Sequence, residues 1–269
     1  MHALRPPARA FDAIAMDFDL RFNPWQSVAA QRRAVRSALL RAFPQHGHIL
    51  EIGGGTGEDA LYLAEQGFDV FLTDASPAMV SVAQNKLLRH GGRAAVASGE
   101  EMETFARSFL SSGGRMFDGA FSNFAPLNCV ADLKSTAHGL AHLLKPGAPL
   151  LLVVFGTLCP GEMVAEVLRG RPRQALRRLK RGGAPARLAK REFQIFYHRR
   201  KELVRAFAPW FTLEERLGIG VTVPPSAAEP WISNHTRLLD VMEALDRKLA
   251  RPLAVFGDHI LYQFRRTAQ

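Results

Sequence analysis

A glycine-rich turn between a short apolar run and an amphipathic segment constrains the fold of this chain more than any other feature. The run begins at Ile49 and contains one acid, Glu51, and glycine fills four of the five positions after Ile52. Apolar residues then recur at helical spacing, at Leu61, Leu63, Ala64 and Phe68. This order predicts a strand, a tight loop and a helix. Glycine suits the loop because it tolerates positive φ and lets backbone N–H groups approach a ligand closely.

Two acidic residues narrow the class of ligand, because the glycines alone would also fit a dinucleotide site. Glu51 lies at the carboxyl end of the predicted strand, where it would repel a pyrophosphate and attract an ammonium or sulfonium group. The segment from Phe68 to Asp74 reads as a second strand that ends in an acid. Asp74 follows the glycine turn by about twenty residues, the spacing at which a carboxylate bridges a ribose diol.

These residues resemble the class I S-adenosylmethionine-dependent methyltransferases, whose first motif has the form acid-x-Gly-x-Gly-x-Gly. The resemblance covers roughly residues 11–155 and rests on both motifs together. It implies an α/β fold with a Rossmann-like, doubly wound, seven-stranded sheet whose last strand is antiparallel, and a variable insert between strands 5 and 6. The corresponding division is a disordered tail at 1–10, a cofactor-binding core with N-terminal helices at 11–155, a basic cap at 156–210, and completion of the sheet at 211–269.

The resemblance also implies the cofactor, S-adenosylmethionine, which leaves as S-adenosylhomocysteine, and the positions that hold it. The implied cofactor-binding residues are Phe18, Glu51, Gly53, Gly54, Gly55, Asp74, Ala75, Met79, Gly99, Glu100, Ser122 and Asn123. Phe18 stands where the family usually has tyrosine, and no aspartate stands at 98 or 99, which leaves the contact to the adenine amino group open. We expect Gly55→Val to abolish cofactor binding and Gly53→Ala to be milder.

The net charge of +10 is a local property of the chain. Residues 169–205 contain fourteen Lys or Arg and two Glu, whereas the rest of the sequence carries a net charge of −2. Three interpretations stay open: a solvated lid, a site for a phosphorylated, carboxylated or carrier-bound acceptor, and a surface for RNA or an anionic membrane. Aromatic residues do not interleave the cations between Arg169 and Arg191, which disfavours base stacking there.

Methyl transfer requires alignment of donor and acceptor rather than a nucleophilic residue or a metal, and a general base helps when the acceptor is a hydroxyl. Base candidates in lid-side segments are His198 and His235, with His259 further off. Candidates for lining the acceptor pocket are Trp25, Phe124, Asn128, Trp210 and Trp231. His138 and His142 have metal-ligand spacing, but no pattern supplies a third ligand, so we predict no metal.

The sequence therefore predicts an enzyme that methylates a small organic acceptor, and an anionic acceptor is one of the interpretations of the basic insert that stay open. An RNA methyltransferase and a catalytically silent S-adenosylmethionine-binding partner subunit are the alternatives. The loop after the fourth strand lacks the Asn-Pro-Pro-aromatic sequence of many nucleic-acid amino methyltransferases, so nucleic acid is disfavoured. Two cysteines without a metal or redox pattern, no apolar run of bilayer length and no secretory signal indicate the cytoplasm. The acceptor, the methylated atom and the oligomeric state stay open.

Overall fold

A computed structural model describes residues 4–268 of the chain. Its nine strands are β1 (His48–Ile52), β2 (Asp69–Asp74), β3 (Arg93–Val96), β4 (Gly119–Ser122), β5 (Pro149–Phe155), β6 (Ala184–Leu188), β7 (Arg191–Ile195), β8 (Phe211–Ile219) and β9 (His259–Arg266). Seven of them form one sheet in the order β3-β2-β1-β4-β5-β9-β8, and β6 and β7 form a separate hairpin. Strands β1 to β5 are parallel, and β9 runs antiparallel between β5 and β8. The predicted sheet with an antiparallel last strand is confirmed.

Helices cover both faces of this sheet, as parallel strands require. They are α1 (Pro6–Asp12), α2 (Phe18–Phe22), α3 (Gln26–Ala42), α4 (Glu58–Glu65), α5 (Pro77–Leu87), α6 (Met102–Ser111), α7 (Lys134–Leu143), α8 (Pro160–Leu168), α9 (Pro172–Ala175), α10 (Arg200–Phe207), α11 (Glu229–Ile232) and α12 (Thr236–Leu249). Single 3-10 turns join several of them. No helix within residues 4–268 is long and apolar enough to cross a membrane.

Alternation along the apolar strands divides the core into two layers. In β5, Leu150 and Leu152 pack in one layer, whereas Leu151 and Val153 pack in the other. The first layer includes residues of α6, α7 and α10, and the second includes residues of α3, α4 and α5. Because successive side chains of a strand point to opposite faces, an unbroken apolar strand such as β5 supports both layers.

The N-terminal residues differ from the prediction. The segment predicted as a disordered tail forms α1 from Pro6, with Pro7 in its first turn, where a missing N–H costs no hydrogen bond. Ala8 and Ala10 are buried, and α1 contacts α5 and the β6–β7 hairpin. Small side chains allow this close packing, so residues 4–10 belong to the folded structure; residues 1–3 lie outside the described part of the chain.

Only part of the segment between β5 and β8 is an insert, and the rest belongs to the core. Helices α8 and α9 and the β6–β7 hairpin follow β5, as the predicted insertion point requires. Helix α10 instead belongs to the core, because Leu203 and Phe207 are fully buried in the layer that contains α7. The end of the predicted cap region therefore covers the sheet rather than the cleft described below.

Candidate active site

A cleft of about 480 Å³ lies at the carboxyl ends of the parallel strands. Its walls come from the β1–α4 loop, the ends of β2 and β4, the 3-10 turn at Gly99–Glu101, the N-terminal helices, and the insert. The carboxyl edge of an open parallel sheet is where α/β proteins bind ligands, because loops from neighbouring strands converge there. The volume lies in the range of about 300–1,000 Å³ that small-molecule sites occupy.

The glycine loop forms the floor of the cleft. Gly53 and Gly55 have φ of 67° and 56°, in the left-handed region that favours glycine. The N–H groups of Gly53 and Gly54 donate to the Thr73 carbonyl oxygen at 2.7 and 3.1 Å, which fixes the loop to the end of β2. The N–H of Gly55 donates to Oδ2 of Asp74 at 2.9 Å. The two sequence motifs are thus joined in one hydrogen-bonded unit.

Asp74 is held at the cleft wall by backbone donors on both sides. Its Oδ1 accepts from the Ser76 N–H at 2.8 Å, in addition to the Gly55 contact at Oδ2. Burial raises the pKa of Asp74, and the hydrogen bonds from Ser76 and Gly55 oppose that rise. Because each carboxylate oxygen accepts two hydrogen bonds, Asp74 retains capacity for a ligand's hydroxyl groups.

Glu51 supplies a buried acceptor without a partner. Its side chain is enclosed at the end of β1, and its Oε2 has no hydrogen-bond partner within residues 4–268. Burial and the neighbouring Asp59 carboxylate raise the pKa of Glu51 well above its ordinary value. An unsatisfied buried carboxyl oxygen is costly, and a ligand ammonium or hydroxyl group would relieve that cost.

Two aspartates hold the N-terminal helices over the cleft. Oδ1 of Asp12 accepts from the Ser76 hydroxyl at 2.8 Å and from the Ala78 N–H at 2.9 Å, at the start of α5. Asp19 accepts from the Thr56 hydroxyl at 2.6 Å and pairs with Lys86 at 2.5 Å. A chain of ring contacts runs along this roof through Phe11, Phe18, Phe22 and Trp25. The roof therefore has an apolar interior, and the carboxylates of Asp12 and Asp19 hold it in place through hydrogen bonds and an ion pair.

The loop after β4 forms the wall opposite the roof. Asn123 donates from Nδ2 to Asp59 at 2.7 Å, and its Oδ1 accepts from the Phe124 N–H at 2.8 Å. Phe124 and Ala125 have φ of 55° and 64°, an uncommon conformation for residues with a Cβ. Such strain persists only where surrounding contacts fix it, and it concentrates at ligand sites. Asn123 supplies one such contact through its bond to the Phe124 N–H.

A buried polar cluster centred on His259 closes the far end of the cleft. Nδ1 of His259 lies 3.1 Å from Oε1 of Gln31 and 3.4 Å from Oδ2 of Asp258. Gln31 donates from Nε2 to Asp258, so its Oε1 is the acceptor for a proton on Nδ1 of His259. The imidazole stacks on Phe155 and meets the edge of Phe124. Nε2 makes no hydrogen bond to another described residue and is left to accept a proton.

A sequence profile described as a methyltransferase domain matches residues 28–208, about two thirds of the chain. The match spans the glycine loop, Asp74 and most of the insert. The chain belongs to the class I S-adenosylmethionine-dependent methyltransferases. S-Adenosylmethionine is accordingly its cofactor. A search of curated protein sequences finds no match.

Solved structures show the same fold at low sequence identity. The protein bound by the Trm112 methyltransferase activator of Haloferax volcanii has a TM-score of 0.59 and 16% identity, over 99% of this chain and 99% of that one. The CcbJ methyltransferase of Streptomyces caelestis has a TM-score of 0.55 and 14% identity, over 89% and 90%. DhpI in complex with S-adenosylhomocysteine has a TM-score of 0.54 and 16% identity, over 98% and 97%. These similarities establish the architecture of the methyltransferase.

Most residues that the sequence predicted for the cofactor face this cleft. Those in its walls are Phe18, Glu51, Gly53, Gly54, Gly55, Asp74, Ala75, Met79, Gly99, Glu100 and Asn123. Ser122 is fully buried below the floor, where its hydroxyl donates to the Ile52 carbonyl oxygen at 2.9 Å. The carbonyl groups of Gly99 and Glu100 accept from the Thr136 and Ser135 hydroxyls, which ties this turn to the start of α7.

The predicted acceptor-side residues divide into two groups. Trp25 and Phe124 line the cleft. The residues that do not line it are Asn128, His198, His235, Trp210 and Trp231. Asn128 and His198 instead fasten the hairpin side of the insert, through hydrogen bonds to the backbone of Phe155 and Phe196 and of Leu127 and Val130.

The other candidates outside the cleft also pack against neighbouring side chains. His235 packs against Trp231 with the two rings tilted, and Trp210 packs on His138. The Nε2 atoms of His138 and His142 lie 3.2 Å apart, and Glu103 is close to His138.

The structure gives His259 a place that sequence reasoning missed. The sequence prediction placed His259 further from the ligand than His198 and His235. Strand β9 begins at His259, which pairs in register with Phe155 at the end of β5. An antiparallel strand starts where its parallel neighbour ends, so the first residues of β9 lie at the carboxyl edge of the sheet. This rule is the signal that could have placed His259 at the cleft from the sequence.

The charge of the cleft wall differs from that of the insert. Among the described residues, the wall includes four arginines (Arg5, Arg32, Arg177 and Arg178) and eight acids (Glu51, Glu58, Asp59, Asp74, Glu100, Glu162, Glu166 and Asp258). The insert's cations are mostly exposed, and of those in residues 169–205 only Arg177 and Arg178 line the cleft. The basic segment therefore does not make this wall an anion site.

Cys159, Glu162 and Asp258 are close enough for their ligand atoms to hold a metal ion. The Arg178 guanidinium already pairs with both carboxylates, and burial raises the pKa of the Cys159 thiol to about 11. A cation thus already occupies the centre of the group, and we assign no metal role to it.

The loop geometry adds a steric cost at Gly53 that the sequence did not show. A Cβ on Gly53 would overlap the ring of Pro126, whereas a Cβ on Gly55 would lie more than 4 Å from any described residue other than its chain neighbours. We expect Gly53→Ala to weaken cofactor binding more than Gly55→Ala, since both have positive φ and only Gly53 also meets a steric obstacle. Titration of each variant with S-adenosylhomocysteine measures the difference. Equal losses of affinity would contradict this reading of the loop.

Proposed function

We propose that this methyltransferase transfers a methyl group to an oxygen or nitrogen of a small, neutral or cationic organic acceptor. The observation that carries the proposal is the Gln31–Asp258–His259 cluster at the far end of the cofactor cleft. The limited cleft volume and its excess of carboxylates favour an acceptor of this kind over an anionic one.

The residues present fit S-adenosylmethionine, which when bound supplies a methyl group already activated by sulfonium. Asp74 would accept hydrogen bonds from ribose hydroxyls, and Glu51 would meet the ammonium group of the methionine portion. Glu51 Oε2 supports that role because no described residue bonds it. Met79 and the turn at Gly99–Glu101 would hold the adenine.

His259 would act as the base that removes the acceptor's proton. Nδ1 is occupied by Gln31 and Asp258, and this arrangement leaves the lone pair on Nε2. Stacking on Phe155 and the edge contact with Phe124 restrict rotation of the ring. Alignment by fixed walls and removal of water account for much of the rate in such a reaction, and the base adds to it.

An assay of S-adenosylhomocysteine release against amines, phenols and hydroxylated metabolites tests the proposal. Turnover with members of this panel supports it. Cofactor binding without turnover on any of them would favour the silent partner subunit, and turnover on RNA alone would favour the RNA methyltransferase. We place RNA second because most of the insert's cations do not line the cleft.

His259→Gln is expected to lower kcat by about 100-fold or more while leaving the affinity for S-adenosylhomocysteine within about twofold, since general bases contribute roughly 10²–10⁴-fold. His235→Gln is the matched control, because His235 is exposed and lies outside the cleft. Steady-state kinetics with the best acceptor of the panel measure both. An unchanged kcat in His259→Gln would remove His259 from the mechanism.

A further inference from the structure

Helix α8 has the reverse of the usual orientation for a surface helix. Its two acids, Glu162 and Glu166, face the cleft, where they pair with Arg177, Arg178 and Arg169. Three of its aliphatic residues face outward: Val164 is 58% exposed, Val167 56% and Leu168 82%. Residues three and four apart share one side of a helix, so these three form a continuous apolar strip. A helix that buries acids and exposes aliphatic side chains lacks a partner for its apolar side.

Exposed aliphatic residues also occur in the next turns of the insert. Leu176 is 52% exposed and Leu179 is 39% exposed. We call the five aliphatic residues, with the exposed cations Arg171, Arg173, Lys180 and Arg181 between and beside them, the outer face of the insert. None of these four cations forms an ion pair within residues 4–268.

The outer face also lacks negative charge. Glu162 and Glu166 are the only acids between residues 156 and 191, and both point inward to arginines. Aliphatic side chains surrounded by unpaired cations suit a surface that offers hydrocarbon and negative charge together. An anionic lipid–water interface has both. Single-stranded RNA suits it less well, because residues 160–181 contain no aromatic side chain for base stacking.

We propose that the outer face docks this methyltransferase on an anionic membrane surface. Val164, Val167, Leu168, Leu176 and Leu179 enter the interface, and the four cations contact phosphate headgroups. Glu166 and Arg177, from the same segment, line the cleft, so docking brings the rim of the cleft to the lipid surface. The proposal does not depend on the chemistry assigned to His259.

Another exposed apolar strip provides a matched control. Leu238, Val241 and Leu245 of α12 are 38%, 56% and 44% exposed. The exposed carboxylate of Asp240 lies within this strip, and Glu243 follows it. The α12 strip therefore differs from the outer face of the insert by its negative charge, and the membrane proposal applies to the outer face alone.

Binding to lipid vesicles tests the proposal with the full chain. We expect partition onto vesicles of phosphatidylglycerol and phosphatidylcholine, and little onto phosphatidylcholine alone. Val167→Gln with Leu168→Gln should lower the partition coefficient at least about tenfold, through loss of apolar burial. Neutralising Arg171, Arg173, Lys180 and Arg181 to Gln should lower it about 100-fold or more, at roughly a factor of five per cation.

Val241→Gln with Leu245→Gln should leave partition within about twofold, and circular dichroism establishes that each variant is folded. No binding to anionic vesicles would overturn the proposal. Binding that the charge variant loses but the α8 variant keeps would also overturn it, because simple adsorption of cations needs no apolar strip. Tighter binding to single-stranded RNA or to an acidic carrier protein than to vesicles would assign the outer face to that partner instead.

Discussion

Replacing Asp74 with alanine is expected to weaken S-adenosylmethionine binding by about 2–4 kcal/mol, or roughly 30- to 1,000-fold. Two lost sets of hydrogen bonds contribute to this decrease in affinity. The ligand's ribose hydroxyls lose a charged acceptor, and the N–H groups of Gly55 and Ser76 lose the carboxylate that holds them at 2.9 and 2.8 Å. The glycine loop is thus loosened at the same time as the direct contact disappears. Isothermal titration calorimetry with S-adenosylmethionine and S-adenosylhomocysteine measures the change.

Two further variants separate the losses. Asp74→Asn keeps one acceptor oxygen, so we expect a smaller loss of about tenfold. Asp69→Asn is the control, because Asp69 lies at the opposite end of β2 and pairs with Arg115 outside the cleft. Asp69→Asn should leave cofactor affinity unchanged. A folded Asp74→Ala protein with normal affinity would exclude Asp74 from the cofactor site.

The cofactor half of the cleft was predictable because its determinants are local in the sequence. Glu51, the glycines and Asp74 each follow a strand directly, and strand ends in a parallel sheet converge at one edge. The Ser76 cap also follows from its neighbours, and its hydroxyl accepts from the Met79 N–H as Pro77 in the first turn suggests. Short-range patterns fix these residues without knowledge of the rest of the chain.

The acceptor half was not predictable in the same way, because long-range contacts determine it. His259 meets Gln31, 228 positions away, and Arg178 meets Asp258, 80 positions away. No periodicity or motif joins such residues. The sequence showed that the insert is positively charged, but not which of its cations are exposed. Arg178 is buried, whereas most of the neighbouring cations are exposed. The tail was misjudged for a related reason, since Ala8 and Ala10 fit small gaps that only the folded hairpin creates.

Arg178→Met is expected to lower the free energy of unfolding by about 3–5 kcal/mol, the cost of leaving a buried charge without its partner. Arg178 pairs with Glu162 and, at 2.6 Å, with Oδ1 of Asp258, and it donates to the carbonyl oxygens of Gly156 and Asp258. These contacts join the insert to the ends of β5 and β9. Urea unfolding at pH 7 measures the loss.

The pH dependence follows from the sign of the shift at Asp258. His259 and Arg178 lower the pKa of Asp258 below its ordinary value, against the opposing effect of burial. In the native protein its contribution to stability is therefore present above about pH 4, the unfolded value, and is lost as pH falls through the lower folded value. Without Arg178 the carboxyl of Asp258 is buried without that charge, so its pKa rises and acid relieves the penalty. We expect the stability difference between Arg178→Met and the native protein to narrow from pH 7 to pH 5.

Arg177→Met is the matched control for this experiment. Arg177 also pairs with Glu162, at 2.8 Å, but its side chain is 45% exposed, so its removal should cost less than about 1 kcal/mol. Adding Glu162→Gln to Arg178→Met should recover part of the loss, since the second substitution removes one of the two buried carboxylates that Arg178 no longer neutralises. Equal effects of the Arg177 and Arg178 substitutions, or a stability difference that does not change with pH, would show that Arg178 does not hold this cluster together.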